Sequence, residues 1–136
     1  YFGRTSDAVM GCEGGDGAKE LVLPAARDGH FYLDGEVNGA RVRFLVDTGA
    51  SYVTINDSAA QAAGIPGGTP ASFETAAGRV TGHIARGQRL KLACLEVSDV
   101  SVAVNPALGP VALLGQNVLR RFEVVQTRQQ LTLRIR

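Results

Sequence analysis

One aspartate concentrates the chemistry available to this sequence. Asp47 closes the run Arg41-Val42-Arg43-Phe44-Leu45-Val46, which begins in alternation and ends fully apolar, and Thr48 and Gly49 follow at once. An apolar strand running into the core is a costly place to deliver a carboxylate unless something uses it. Asp-Thr-Gly taken alone is also an ordinary turn, because Asp and Gly are turn residues. Residue type and position make Asp47 the candidate; the tripeptide by itself does not decide between a loop and a catalytic acid.

Rival chemistries have less behind them. His30 and His83 fall on expected strands with no Ser or Cys motif nearby, so they read as satisfied strand or surface histidines rather than bases that activate a nucleophile. Cys12 and Cys94 could pair, or could be one loop thiol and one core thiol; spacing leaves that open. With the two histidines they could supply four zinc ligands, yet none lies close enough to another to form a local metal-binding pair, so neither a metal nor a cofactor is expected. The glycine cluster from Gly11 to Gly17 lacks the Lys-Ser/Thr ending and the strand-to-helix setting of a phosphate loop.

The elements that must position Asp47 are strands and turns. A chain of 136 residues with a hydrophobic fraction of 45% supports one domain with one core. Its 17 glycines, absence of Trp and abundance of Val, Leu and Thr favour strands over a helical bundle. Lys and Arg number 14 against 13 for Asp and Glu, with no basic run able to track a phosphate backbone, so nucleic acid is not an expected partner. No stretch approaches the length of a membrane span and no signal-peptide pattern opens the chain; a start at Tyr1 reads as a trimmed or mature product.

Residues 1–20 read as a flexible extension or linker and 21–136 as the domain. His30–Val37 and Ala40–Val46 form a hairpin across Asn38-Gly39, the dipeptide of a type I′ turn, with the second strand as an edge entering the core. A short strand at Tyr52–Ile55 leads to Asn56-Asp57-Ser58 as the cap of a helix over Ala59–Ala63, stopped by Gly64. Ala71–Thr75 and Arg79–Ile84 flank the small tip Ala76-Ala77-Gly78, which should be mobile. Strands continue over Gln88–Leu95 and Val97–Val104, then Val111–Gly115, a short helix over Gln116–Arg121, and a last hairpin of Phe122–Gln126 and Gln130–Arg136, the latter with edge-strand features.

Three segments carry a resemblance. Leu45-Val46-Asp47-Thr48-Gly49-Ala50-Ser51 resembles the active-site loop of retropepsin-like aspartic peptidases; Phe73 to Val80 is similar to their flap hairpin; Ala112-Leu113-Leu114-Gly115-Gln116-Asn117-Val118-Leu119 is similar to the apolar-apolar-Gly segment and short helix that follow. They occur in the family's order and span about His30 to Arg136, with the nearest likeness to single-domain bacterial members. The resemblance implies a mainly β fold: a single-lobed closed barrel of the acid-protease type, with a flap hairpin and one or two short helices.

It also implies the chemistry. Two carboxylates a hydrogen bond apart hold a water; one acts as base while the other, protonated, polarises the scissile carbonyl, and the pair shares one proton because two charges so close cannot both ionise. None of Asp7, Asp16, Asp28, Asp34, Asp57 or Asp99 is followed by Thr-Gly or Ser-Gly, so the second carboxylate must come from another copy and a homodimer is expected. By resemblance, Asp47 is catalytic, Thr48 and Gly49 support the loop, and Ala50, Ser51, Thr75, Ala76, Ala77 and Gly78 touch a protein or peptide substrate bound as an added strand. Ala50 in place of a hydroxyl donor implies activity nearer neutral pH. Ser51 departs from the retroviral enzymes, which carry an acidic residue there. The bacterial likeness implies a periplasmic location, with membrane contact only through an anchor outside these residues. The competing reading is a non-catalytic peptide-binding or dimerisation module that kept the fold; Ser51 and the bland flap tip favour it, the intact Asp47-Thr48-Gly49 opposes it.

Overall fold

The computed structural model describes residues 20–136. The extension read over 1–20 therefore lies, apart from Glu20, outside the described residues, as does Cys12. Elements run in the order β1 (Glu20–Pro24), β2 (Tyr32–Val37), β3 (Ala40–Val46), β4 (Val53–Ile55), α1 (Asp57–Ala62), β5 (Thr69–Thr75), β6 (Gly78–Leu92), β7 (Leu95–Val104), β8 (Ala112–Leu114), α2 (Gln116–Leu119), β9 (Phe122–Gln126) and β10 (Gln130–Ile135).

The larger sheet has the order β2-β3-β8-β4-β7-β6-β5, and a further pairing of β2 with β6 closes six of those strands into a ring. The fold is thus mainly β and barrel-like with two short helices, as the sequence implied. Alternation fills the barrel: Leu33, Val37, Phe44, Val53, Leu92 and Leu114 are fully buried. β5 pairs only with β6 and stands off the ring as the outer arm of a hairpin, an edge position that tolerates Pro70.

Local chemistry accounts for the turns. Asn38 and Gly39 adopt φ of 51° and 88°, the pair of positive values a type I′ hairpin demands. Asn56 caps α1 by accepting the Ala59 N–H at 2.8 Å, and the helix ends before Gly64.

Several expectations are corrected. β3 is no edge: β2 flanks it on one side and β8, in parallel, on the other. β6 is one strand of 15 residues rather than two, its register shifted between Ala85 and Leu90 around Gly87 at φ 74°. The chain then turns at Ala93 and Cys94 instead of running extended to Leu95, with Ala93 at φ 56°. β1 was not expected at all; it is five residues long and is stabilised by a remote partner, Leu21 lying opposite Leu133 and Leu23 opposite Leu131, all fully buried. β10 is the centre of the small β1-β10-β9 sheet, not an edge. Cys94, whose state spacing left open, is disulfide-bonded.

Candidate active site

The β3–β8 ladder brings Asp47 to its position. Val46 lies opposite Leu114, and one residue later the Asp47 N–H donates to the Leu114 carbonyl at 3.0 Å, so the ladder's last rung fixes the aspartate's backbone. The chain then turns tightly: Ala50 N–H donates to the Asp47 carbonyl at 3.1 Å and Gly49 N–H to Asp47 Oδ1 at 2.9 Å. The carboxylate is half-buried, not sunk in the core as the apolar strand suggested, and Thr48, Gly49, Ser51 and Tyr52 are exposed. The strand ends at the barrel surface, which is where a group that meets a substrate has to be.

Residues 114–117 clamp this loop from behind. Gln116 N–H donates to the Ala50 carbonyl at 2.8 Å and Asn117 N–H to the Ser51 carbonyl at 3.1 Å. Both side chains add to the clamp: Gln116 Nε2 donates to the Thr48 carbonyl at 3.0 Å, and Asn117 Oδ1 accepts the Val53 N–H at 2.9 Å while its Nδ2 donates to the Ser101 carbonyl at 2.7 Å. Gly115 is the hinge of this contact, because a Cβ there would sit 2.5 Å from the Tyr52 carbonyl oxygen and 2.8 Å from that of Ala50. In the sequence, 112–119 reads as apolar strand, glycine and helix, with no role for Gln116 and Asn117. Two adjacent amides directly after that glycine were the available signal, since amide side chains both donate to and accept from backbone.

The remaining candidates occupy the β5–β6 hairpin. Ala76 and Ala77 form its tip between Thr75 and Gly78. Thr75 Oγ1 donates to the Gly78 carbonyl at 2.6 Å and accepts the Ala77 N–H at 3.2 Å, so the tip is tied by its own threonine. Glu74 and Arg79 pair across it at 2.8 Å, both more than two-thirds exposed, an arrangement that adds little stability in water.

A second polar group lies on the segment that leads into β2, whose Tyr32 is opposite Leu45. Tyr32 OH donates to Asp28 Oδ2 at 2.5 Å and His30 N–H to Asp28 Oδ1 at 2.9 Å. The tyrosine's hydrogen bond, then that of His30, holds the Asp28 carboxyl below the usual range, and the same bond to Asp28 pushes the Tyr32 hydroxyl up. Arg43 lies over the Tyr32 ring at 5.0 Å and pairs with Asp34 at 3.3 Å. Of the two histidines, His30 sits in the exposed stretch before β2 rather than on a strand, and His83 is on β6 with a buried Nε2. No group of three or more His, Cys, Asp or Glu residues among the described residues could hold a metal.

A closed six-strand ring with an outlying hairpin, carrying an Asp-Thr-Gly loop clamped by a Gly-Gln-Asn turn, is a fold of the aspartic-peptidase type. A family model described as "gag-polyprotein putative aspartyl protease" matches residues 33–121, and the chain belongs to this retropepsin-like family. Among solved structures, the crystal structure of a retropepsin-like aspartic protease from Rickettsia conorii superposes with a TM-score of 0.75 at 26% identity, covering 87% of this chain and 92% of that one. The uncharacterized protein RP867 of Rickettsia prowazekii (strain Madrid E) is 40% identical over 45 residues, 33% of this chain but only 20% of that relative's length.

Proposed function

We propose that the protein is an aspartic endopeptidase whose dyad is assembled from two copies of Asp47 in a homodimer. The observation that carries this reading is the Asp47 loop: one carboxylate oxygen engaged by Gly49 N–H at 2.9 Å, on an exposed turn braced by residues 114–117. The intact Asp47-Thr48-Gly49 within a chain of the aspartyl-protease family favours the enzyme over a binding module. The Rickettsia conorii neighbour, named as an aspartic protease, supports the same chemistry.

One Asp-Thr-Gly per chain makes the site a half-site. In the dimer, one carboxylate takes a proton from the water as its oxygen bonds to the scissile carbonyl carbon, while the partner's carboxylic acid gives its proton to the carbonyl oxygen. The C–N bond then breaks as the carboxyl that took the water's proton passes it to the leaving amine and the partner's carboxylate takes a proton from the diol as its carbonyl re-forms, which restores the dyad. The β5–β6 hairpin tip, Thr75 to Gly78, covers an extended peptide that lies against Ala50 and Ser51. A compartment that preserves disulfides, such as the periplasm, fits the bonded state of Cys94; an anchor outside the described residues would supply any membrane contact. Among the described residues no helix is long and apolar enough to cross a membrane.

The test is cleavage of a diverse peptide mixture across pH by wild type and Asp47→Asn, with oligomeric state recorded at each enzyme concentration. The proposal expects cleavage that vanishes in the variant and rises more steeply than linearly with enzyme concentration. Equal background cleavage by both folded proteins leaves a peptide-binding module.

A further inference from the structure

The Thr48–Gly49 peptide unit is engaged at both ends. Its carbonyl oxygen, on Thr48, accepts from Gln116 Nε2 at 3.0 Å, and its N–H, on Gly49, donates to Asp47 Oδ1 at 2.9 Å. Both residues are exposed in the single chain, so no packing within the protomer fixes the plane of this peptide. The neighbouring backbone bonds of the clamp reach Asp47, Ala50 and Ser51 and leave the Thr48 carbonyl to Gln116. A peptide is planar, so fixing the direction of its carbonyl fixes the direction of its N–H.

We infer that Gln116 is a positioning residue for the catalytic carboxylate, acting through the Thr48–Gly49 peptide and never touching the reacting atoms. Two effects follow from one contact. The amide holds the peptide plane so that Gly49 N–H stays aimed at Asp47 Oδ1, and donation to the carbonyl polarises the peptide, strengthening the N–H bond at its other end. Gln116 is suited to this because its own N–H is committed to the Ala50 carbonyl at 2.8 Å, which anchors the backbone from which the side chain reaches. A side chain without an N–H donor of the same reach leaves the peptide free to rotate. This inference rests on the proposed function for its catalytic consequence, but its structural part stands apart from activity.

The experiment uses Gln116→Met, which keeps length and loses the donor, and Gln116→Glu, which donates only when protonated. Amide hydrogen exchange by NMR is the readout that does not depend on cleavage. In Gln116→Met, exchange at Gly49 should quicken about tenfold or more while Val53, held by Asn117, is unchanged; equal Gly49 exchange in variant and wild type overturns the inference whether or not the protein cleaves peptides. In cleavage assays kcat should fall on the order of tenfold at unchanged KM, short of the roughly hundredfold loss that a misplacement of about 1 Å can cause. For Gln116→Glu the deficit should shrink as pH falls and the new carboxyl gains its proton. A deficit in Gln116→Glu that does not vary with pH, together with full activity of Gln116→Met, also overturns it. Failure of wild type itself to cleave would count against the enzyme reading and leave the exchange result to judge Gln116.

Discussion

Val53 and Asn117 are 64 positions apart in the chain, and the backbone N–H of the first donates to Oδ1 of the second at 2.9 Å. The same side chain donates through Nδ2 to the Ser101 carbonyl at 2.7 Å, so one amide joins the start of β4 to β7 behind the Asp47 loop. Asn117→Ala leaves a partly buried donor and acceptor unpaired, which costs about 1–3 kcal/mol for each group left unsatisfied. Thermal unfolding followed by circular dichroism should show a drop of roughly 4 °C for each kcal/mol lost in a domain of this size. Asn117→Asp keeps the acceptor for Val53 but turns a carboxylate oxygen toward the Ser101 carbonyl, and should also be less stable than wild type. An Asn117→Ala protein as stable as wild type contradicts this role.

Gly115 gives a sharper expectation. Any Cβ at this position meets the Tyr52 and Ala50 carbonyl oxygens at 2.5 and 2.8 Å, and both obstacles are backbone that cannot swing aside. Gly115→Ala must push the Asp47 loop away from α2, at a cost of about 3 kcal/mol by analogy with overpacked cores. Denaturant unfolding should register that loss, and peptide cleavage should drop further than stability alone explains. A variant with unchanged unfolding midpoint would show that the contact at Gly115 is looser than the geometry states.

How far the sequence disclosed this arrangement varied with the range of the interactions. The Asn38-Gly39 turn, the cap at Asn56 and the β9–β10 hairpin are local, set by φ preference and by a side chain three residues from the N–H it accepts, and their positions were readable to within a residue or two. Asp47 stood out as the candidate because an apolar run ended on it. What escaped was non-local: β1 exists because Leu21 and Leu23 find Leu133 and Leu131, more than a hundred residues away. Gln116 and Asn117 look like ordinary polar helix residues until the Asp47 loop is placed beside them. β3 was misread as an edge because alternation at its start reports which side faces solvent, not what lies beyond each side in the sheet.

The Asp28–Tyr32 pair carries a dependence on pH whose sign can be worked out. The carboxyl of Asp28 is lowered from 3.8, first by the Tyr32 hydroxyl, so its contribution to stability is present above 3.8 and lost as pH falls through the lower folded value. The Tyr32 hydroxyl is raised from 10.0 by the same bond, so its contribution is complete below 10.0 and lost as pH rises through the higher folded value. Asp28 is exposed and Tyr32 only half-buried, so the effect is small. Tyr32→Phe should be slightly less stable than wild type between those limits, and the two melting curves should converge in strong acid. A gap in melting temperature that persists unchanged to pH 2 would show that the hydroxyl stabilises the fold without needing the charge on Asp28, contradicting this linkage.

Cys94 lies at the turn between β6 and β7, half-buried against the core, and its sulfur is committed to a disulfide. Cross-links of this kind stabilise a small domain chiefly by restricting its unfolded chain, and losing one costs about 2–5 kcal/mol. Cys94→Ser, or wild type melted with an excess of dithiothreitol, should therefore unfold at a temperature lower by several degrees, while Cys94→Ser itself shows no further response to the reductant. The comparison also bears on where the protein works. A domain that depends on the bond for several kcal/mol suits an oxidising compartment, and one that melts identically with and without reductant has no such requirement and removes the support for a periplasmic location.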